Sequence, residues 1–107
     1  MSRHPAVYIL ANVYRTMYIG VTSDIEQRLW HHRHGQEKSW AKRYGLDRLV
    51  HFESYPDMSS AIARETQLKK WNRSKKIKLI ATLNPSWVDL SADWGKNSIP
   101  IPPLRSE

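Results

Sequence analysis

The sequence predicts an α+β domain, a small three-stranded, antiparallel-leaning sheet flanked by helices in the order β-β-α-β-α-α. Three observations carry this. Two apolar, β-branched runs, Ala6–Val13 and Met17–Thr22, stand either side of the polar break Tyr14-Arg15-Thr16, which is a hairpin pattern. A third run, Leu49-Val50-His51-Phe52, ends at the turn formers Tyr55-Pro56-Asp57. Between and after these runs the apolar spacing shifts to a helical period.

Each element has its own grounds. In the first strand Val7, Ile9, Leu10 and Val13 supply the apolar character, and in the second Gly20 signals a bulge or a close approach to the backbone. Ser23 followed three residues later by Glu26 resembles a capping box, opening a helix that ends near Gly35. On it Ile25, Leu29 and His32 share a face, with Arg28 beside it. Residues 36–47 are polar and basic, contain Trp40, Tyr44 and Gly45, and read as a loop. A helix from about Ser60 to Trp71, capped by Ser59 or Asp57, turns Ile62, Leu68 and Trp71 inward. Asn72-Arg73-Ser74 breaks it, and a last helix, Lys75–Leu83, buries Ile77, Ile80 and Leu83 before Asn84-Pro85. Residues 1–90 form the domain, and 91–107, with Pro100, Pro102 and Pro103, form an extended tail.

Composition narrows the function classes. The 107 residues suit one domain, and 17 Lys+Arg against 10 Asp+Glu give a net charge of +7. An excess this large favours an anionic partner, with nucleic acid the commonest. No segment has the apolar length of a membrane span and no signal peptide is visible, so a cytoplasmic setting without a membrane partner is expected. The chain has no cysteine, which removes disulfides, thiol chemistry and cysteine-based zinc sites.

Tyr8 and Tyr18 fall at corresponding places on neighbouring strands, Arg28 and His32 lie four apart on one helix, and Glu65 sits on a second. Two phenols, a guanidinium, an imidazole and a carboxylate in a basic chain suit phosphodiester cleavage. Separately each has a plainer use. The phenols would pack on the sheet, Arg28 would be a solvated helix residue, and Glu65 would pair with Lys69 at the favoured separation. Asp24 and Glu26 fit a helix start, and His31 and His34 read as surface histidines.

Taken together, these pieces resemble the GIY-YIG endonuclease superfamily, in particular its small single-domain members, similar to the N-terminal nuclease domain of an excision-repair endonuclease. The resemblance covers about Ala6 to Leu90. It rests on Val7-Tyr8-Ile9, Tyr18-Ile19-Gly20-Val21-Thr22, Asp24–Leu29 with His32 and Gly35, Leu49–Glu53, Arg64–Trp71 and Asn84-Pro85-Ser86-Trp87. It implies nucleic-acid hydrolysis with one divalent metal, Mg²⁺ or Mn²⁺, held by a glutamate. Tyr8 and Tyr18 match the two motif tyrosines, Arg28 the arginine, His32 a histidine one turn after it and Glu65 the metal ligand. Val7 replaces the first motif's glycine, and the late asparagine is Asn84, with Asn72 competing.

On that basis Tyr8 or Tyr18 would deprotonate or orient the attacking water, a phenol near pKa ~10 needing a nearby cation to do so. Arg28 would offer its planar fork to phosphate oxygens, and His32 would relay or hold a proton. A single carboxylate with waters and phosphate is an ordinary Mg²⁺ site, whereas a two-metal site would need more clustered acids. Seven cations lie between positions 64 and 78 and face only Glu65 in that stretch. Lys69, Lys70, Arg73, Lys75 and Lys76, with Trp40, Lys42 and Arg43 from the basic loop, are the candidate nucleic-acid contacts, Trp40 by stacking. Trp71 and Trp87 suit core positions. The expected function is a metal-dependent endonuclease acting on structured or branched DNA in repair or recombination. A non-catalytic nucleic-acid-binding module is the alternative. Strong sequence specificity would require a homodimer or a repair-protein partner.

Overall fold

The computed structural model describes residues 5–34 and 44–92. Trp40, Lys42, Arg43 and most of the expected tail lie outside them. β1 (Ala6–Ala11) is central, paired antiparallel with β2 (Met17–Thr22) on one side and β3 (Arg48–Ser54) on the other. The three helices among the described residues are α1 (Ile25–His34), α2 (Met58–Lys70) and α3 (Arg73–Leu83), so the predicted order of elements is the observed one. No described helix is long and apolar enough to cross a membrane.

Alternation along β1 divides the core between the two faces of the sheet. Val7, Ile9 and Ala11 point to a face shared with Ala61, Leu68, Ile80 and Trp87, from α2, α3 and the chain beyond. Ala6, Tyr8 and Leu10 point to the other, packed with Ile25 and Leu29 of α1 and with Leu46 and Leu49. A register shift in β3 between the partners of Ile9 and Leu10 leaves Val50 as the additional residue.

The element ends correct several expectations. β1 stops at Ala11, because the Asn12 carboxamide oxygen accepts from the Tyr14 and Thr16 amides at 2.8 and 3.1 Å and closes a turn in which Arg15 takes a φ of 62°. Val13 is left exposed. Asp24, not Ser23, caps α1: its Oδ1 accepts from the Gln27 amide at 3.2 Å. Asp57 caps α2, accepting from Ser60 N–H at 2.7 Å. Arg73 and Ser74 do not break the chain but form the first turn of α3, since Asn72 accepts from Lys75 N–H at 2.8 Å and starts the helix. Ile62 and Leu83 are exposed rather than buried, and Ala61 takes the core place expected of Ile62. At the other end Leu90 N–H donates to the Leu49 carbonyl at 2.7 Å and Ser91 is buried.

Candidate active site

The site is built outward from Tyr8, which lies on the central strand and is only 3% exposed. Its register partner on β2 is Gly20. A Cβ at position 20 would stand 2.5 Å from Tyr8 Oη, 2.6 Å from Tyr8 Cζ and 3.0 Å from Tyr18 Cε2. The Tyr8 phenol thus lies across the glycine, and only a hydrogen there admits it. This is the close approach that Gly20 signals. The pairing runs through it unbroken, so no bulge is involved. Tyr18, two residues earlier on the same strand face, brings its ring centroid to 6.3 Å from that of Tyr8, tilted by 46°.

Arg28 stands at the end of the same face. Tyr18, Gly20 and Thr22 alternate onto one side of β2, and Thr22 begins a concavity of about 230 Å³ lined also by Ser23, Asp24, Gln27, Arg28 and His31. The Thr22 hydroxyl, accepting from Asp24 N–H at 3.2 Å, fixes the bend into α1. Ile25 and Leu29 anchor that helix on the phenol side, which leaves Arg28 exposed at the rim. His32 is half-buried on α1, and it is His31 that shares the concavity with Arg28. Residues three and four along a helix both neighbour the first, so spacing alone did not separate the two histidines.

Glu65 lies on α2, which packs on the other face of the sheet. Ala61 and Leu68 bury the inward stripe of α2, and Glu65 lies between them with its side chain 17% exposed. Arg64 is turned toward β3 by Glu53. Glu65 follows it about 100° further round the helix. Lys69 Nζ sits 2.8 Å from Glu65 Oε2, the pairing the spacing anticipated. The structure therefore joins the two phenols, sets Arg28 at the end of their strand, and puts Glu65 on a helix packed against the opposite face of the sheet. Among the described residues no group of three or more His, Asp or Glu gathers as a metal cage. The donor set, one half-buried carboxylate already drawing a cation, fits a hard divalent ion completed by water and phosphate oxygens.

Asn84, the expected late asparagine, has a structural place in the fold. It is 4% exposed, its Nδ2 donates to the carbonyls of Val50 and Val88 at 3.0 and 2.9 Å, and its Oδ1 accepts from Val88 N–H at 3.1 Å. The side chain is committed to tying α3 and the following chain to β3. Asn72, the competing candidate, is committed to the α3 cap.

Sequence reasoning missed a polar network under α2. Glu53 receives Tyr55 Oη at 2.7 Å, Arg64 Nε at 2.8 Å and Arg64 Nη2 at 3.1 Å, and it lies 2.9 Å from Nε2 of the buried His51. The His51 contact, with the Arg64 and Tyr55 bonds, outweighs burial and holds the Glu53 carboxyl far below the usual carboxylate range. Burial and the bond to Glu53 push the Tyr55 phenol up, and the same carboxylate pushes Arg64 up. The signal was Arg64 in a cationic run, but its partner lies eleven residues away on a strand.

That network also corrects the charge count of the basic stretch, because Arg64 is neutralised by Glu53 and Lys69 by Glu65. Lys70, Arg73 and Lys75 are exposed and Lys76 is half-buried, around the junction of α2 and α3. The Trp71 ring carries Lys75 Nζ at 4.2 Å and the Arg64 guanidinium at 5.1 Å. Trp87 lies in the core, as expected.

Comparison with known proteins gives the family. The model of the GIY-YIG catalytic domain matches residues 4–78. A UPF0213 protein of Haloquadratum walsbyi is 33% identical over 79 residues, which cover 74% of this chain and 89% of that protein. One from Syntrophus aciditrophicus is 39% identical over 75 residues, 69% of this chain and 86% of the relative. The solution structure of the UPF0213 protein BH0048 from Bacillus halodurans shares 26% identity at a TM-score of 0.54, covering 84% of this chain and 95% of that one. The chain belongs to the GIY-YIG family, a family of nucleases.

Proposed function

We propose that the chain is a metal-dependent endonuclease that hydrolyses phosphodiester bonds, with DNA in structured or branched forms as its substrate. The observation that carries this reading is the Tyr8 phenol seated across Gly20 against Tyr18, on the strand whose end forms the Arg28 concavity. A phosphate in that concavity would meet the Arg28 fork, with His31 beside it as a further donor. The phenols would orient the attacking water or take its proton. Glu65 would hold the Mg²⁺ or Mn²⁺ ion. Bound there, the ion supplies charge compensation to the phosphate and to the departing 3′ oxygen. Lys70, Arg73, Lys75 and Lys76 would track the backbone of the nucleic acid.

A second reading, a binding module that holds nucleic acid without turnover, draws on the Glu65–Lys69 pair, which engages the would-be metal ligand internally. Incubation with labelled single-stranded, duplex and flap DNA in Mg²⁺ or Mn²⁺ separates the two. Cutting that is lost in both Glu65→Ala and Tyr8→Phe is the expected result. Binding without cutting supports the module, and cutting that survives Glu65→Ala refutes the metal assignment.

A further inference from the structure

We propose that Glu53 and Arg64 are positioning residues that aim the Glu65 carboxylate, an inference that rests on the reading of Glu65 as the metal-holding group. Arg64 and Glu65 are consecutive on α2, so whatever fixes the azimuth of one fixes that of the other. The apolar contacts of Ala61 and Leu68 hold the helix against the sheet, but such contacts are non-directional and set its rotation loosely. The Arg64 fork is directional. Its Nε and Nη2 reach separate oxygens of Glu53, at 2.8 and 3.1 Å, and its Nη1 donates to Gln67 Oε1 at 2.7 Å.

Glu53 is itself pinned from two further sides. His51 Nε2 lies 2.9 Å from Oε2 and Tyr55 Oη donates to Oε1 at 2.7 Å. All three of these residues belong to β3 or its end, so the carboxylate is a fixed point of the sheet rather than a mobile surface acid. A slip of about 15° around the α2 axis would carry a carboxylate roughly 6 Å from that axis by about 1.5 Å. Sites of this kind tolerate only about 0.5 Å. The clamp ties Arg64 to β3, and Glu65 follows about 100° round the helix with its own partner Lys69, so the clamp acts through the helix without touching metal or substrate.

The test uses Mn²⁺ as a paramagnetic probe of the whole protein, read as line broadening of the amides around residue 65, alongside cleavage kinetics. Glu53→Gln keeps the shape but removes the charge that grips the fork. We expect it to weaken apparent Mn²⁺ affinity about tenfold, as loss of groups that orient a ligand does. The kcat should fall while KM for DNA holds. Arg64→Lys, which keeps the charge but not the fork, should lose a smaller factor. Ile80→Val, which loosens the core beneath α3, controls for stability and should leave Mn²⁺ affinity unchanged. A folded Glu53→Gln that binds Mn²⁺ as the parent does, while Glu65→Ala has lost it, overturns the inference and leaves the metal reading standing. If Glu53→Gln does not fold, unchanged Mn²⁺ affinity in Arg64→Lys overturns it equally. A parent that shows no broadening near residue 65 overturns the metal reading and the inference with it.

Discussion

Replacing Gly20 by alanine tests the geometry on which the site depends. The added methyl would meet Tyr8 Oη at 2.5 Å and Cζ at 2.6 Å, roughly 1 Å inside an ordinary contact. Tyr8 is 3% exposed on the central strand, so the ring has nowhere to swing without disturbing Tyr18. Overpacking of this kind costs about 1–3 kcal/mol, which in a domain of this size lowers Tm by roughly 5–15 °C. On the proposed reading the displaced phenol also leaves its working position, and a shift of about 1 Å costs on the order of 10²-fold in rate. Thermal unfolding by circular dichroism, read beside cleavage at a temperature where the variant is folded, separates the two effects. In a Tyr8→Phe background the stability penalty should persist, because the ring carbon is met even without the hydroxyl. An unchanged Tm for Gly20→Ala in the parent would refute the packing of the phenol across the glycine.

Three further outcomes follow from the other contacts. Asn84→Ala leaves the Val50 carbonyl and the Val88 amide without their side-chain partner, so it should cost about 1–3 kcal/mol in denaturant melts yet spare kcat in the fraction that stays folded. The Glu53 carboxyl is depressed below its ordinary 4.5, so its stabilisation is complete above that pH and is lost as pH falls toward the lower folded value. Acid titration of stability should therefore show a slope below about pH 4.5 that Glu53→Gln removes. With Arg64 and Lys69 neutralised internally, Arg28, Lys70, Arg73, Lys75 and Lys76 remain as about five phosphate contacts, so log K for DNA should fall with log salt at a slope of about −4 to −5. Lys70→Gln should reduce that slope by about 1, whereas Arg64→Gln should not.

The hairpin, the helix order and the phenol pair were legible because they follow from local pattern: alternation, turn residues, and a glycine inside a strand. Gly20 announced a close approach, and only the register of β1 on β2 identified Tyr8 as what approaches. The inward face of α2 was misread at Ile62 because a β-branched aliphatic outweighed Ala61 in the apolar count. Against a sheet, the smaller residue lets the helix lie closer, and the larger one was left at the rim. The cap of α3 was missed for a similar reason. Asn72-Arg73-Ser74 is equally a break and a helix start, and the amide of Lys75 decides between them. The Glu53–Arg64 clamp was beyond reach, since ion pairs between a strand and a helix have no sequence period.

On the proposed reading, the sheet order lets groups on two faces of the sheet bear on one ligand. β2 is an edge strand, so its outer side is open to both layers of helices. Arg28 stands at its end on the phenol face, and α2, which carries Glu65, packs on the face beneath. Had β2 been central, a neighbouring strand would have separated α1 from α2 and no chain could pass between them. On the proposed reading, a nucleic-acid backbone laid along the outer side of β2 meets the arginine fork and the carboxylate in turn. The basic junction of α2 and α3 lies beyond Glu65 along the same helix. A ligand laid there would also keep this edge from pairing with another sheet, and the short length of the strand, six residues, limits that hazard on its own.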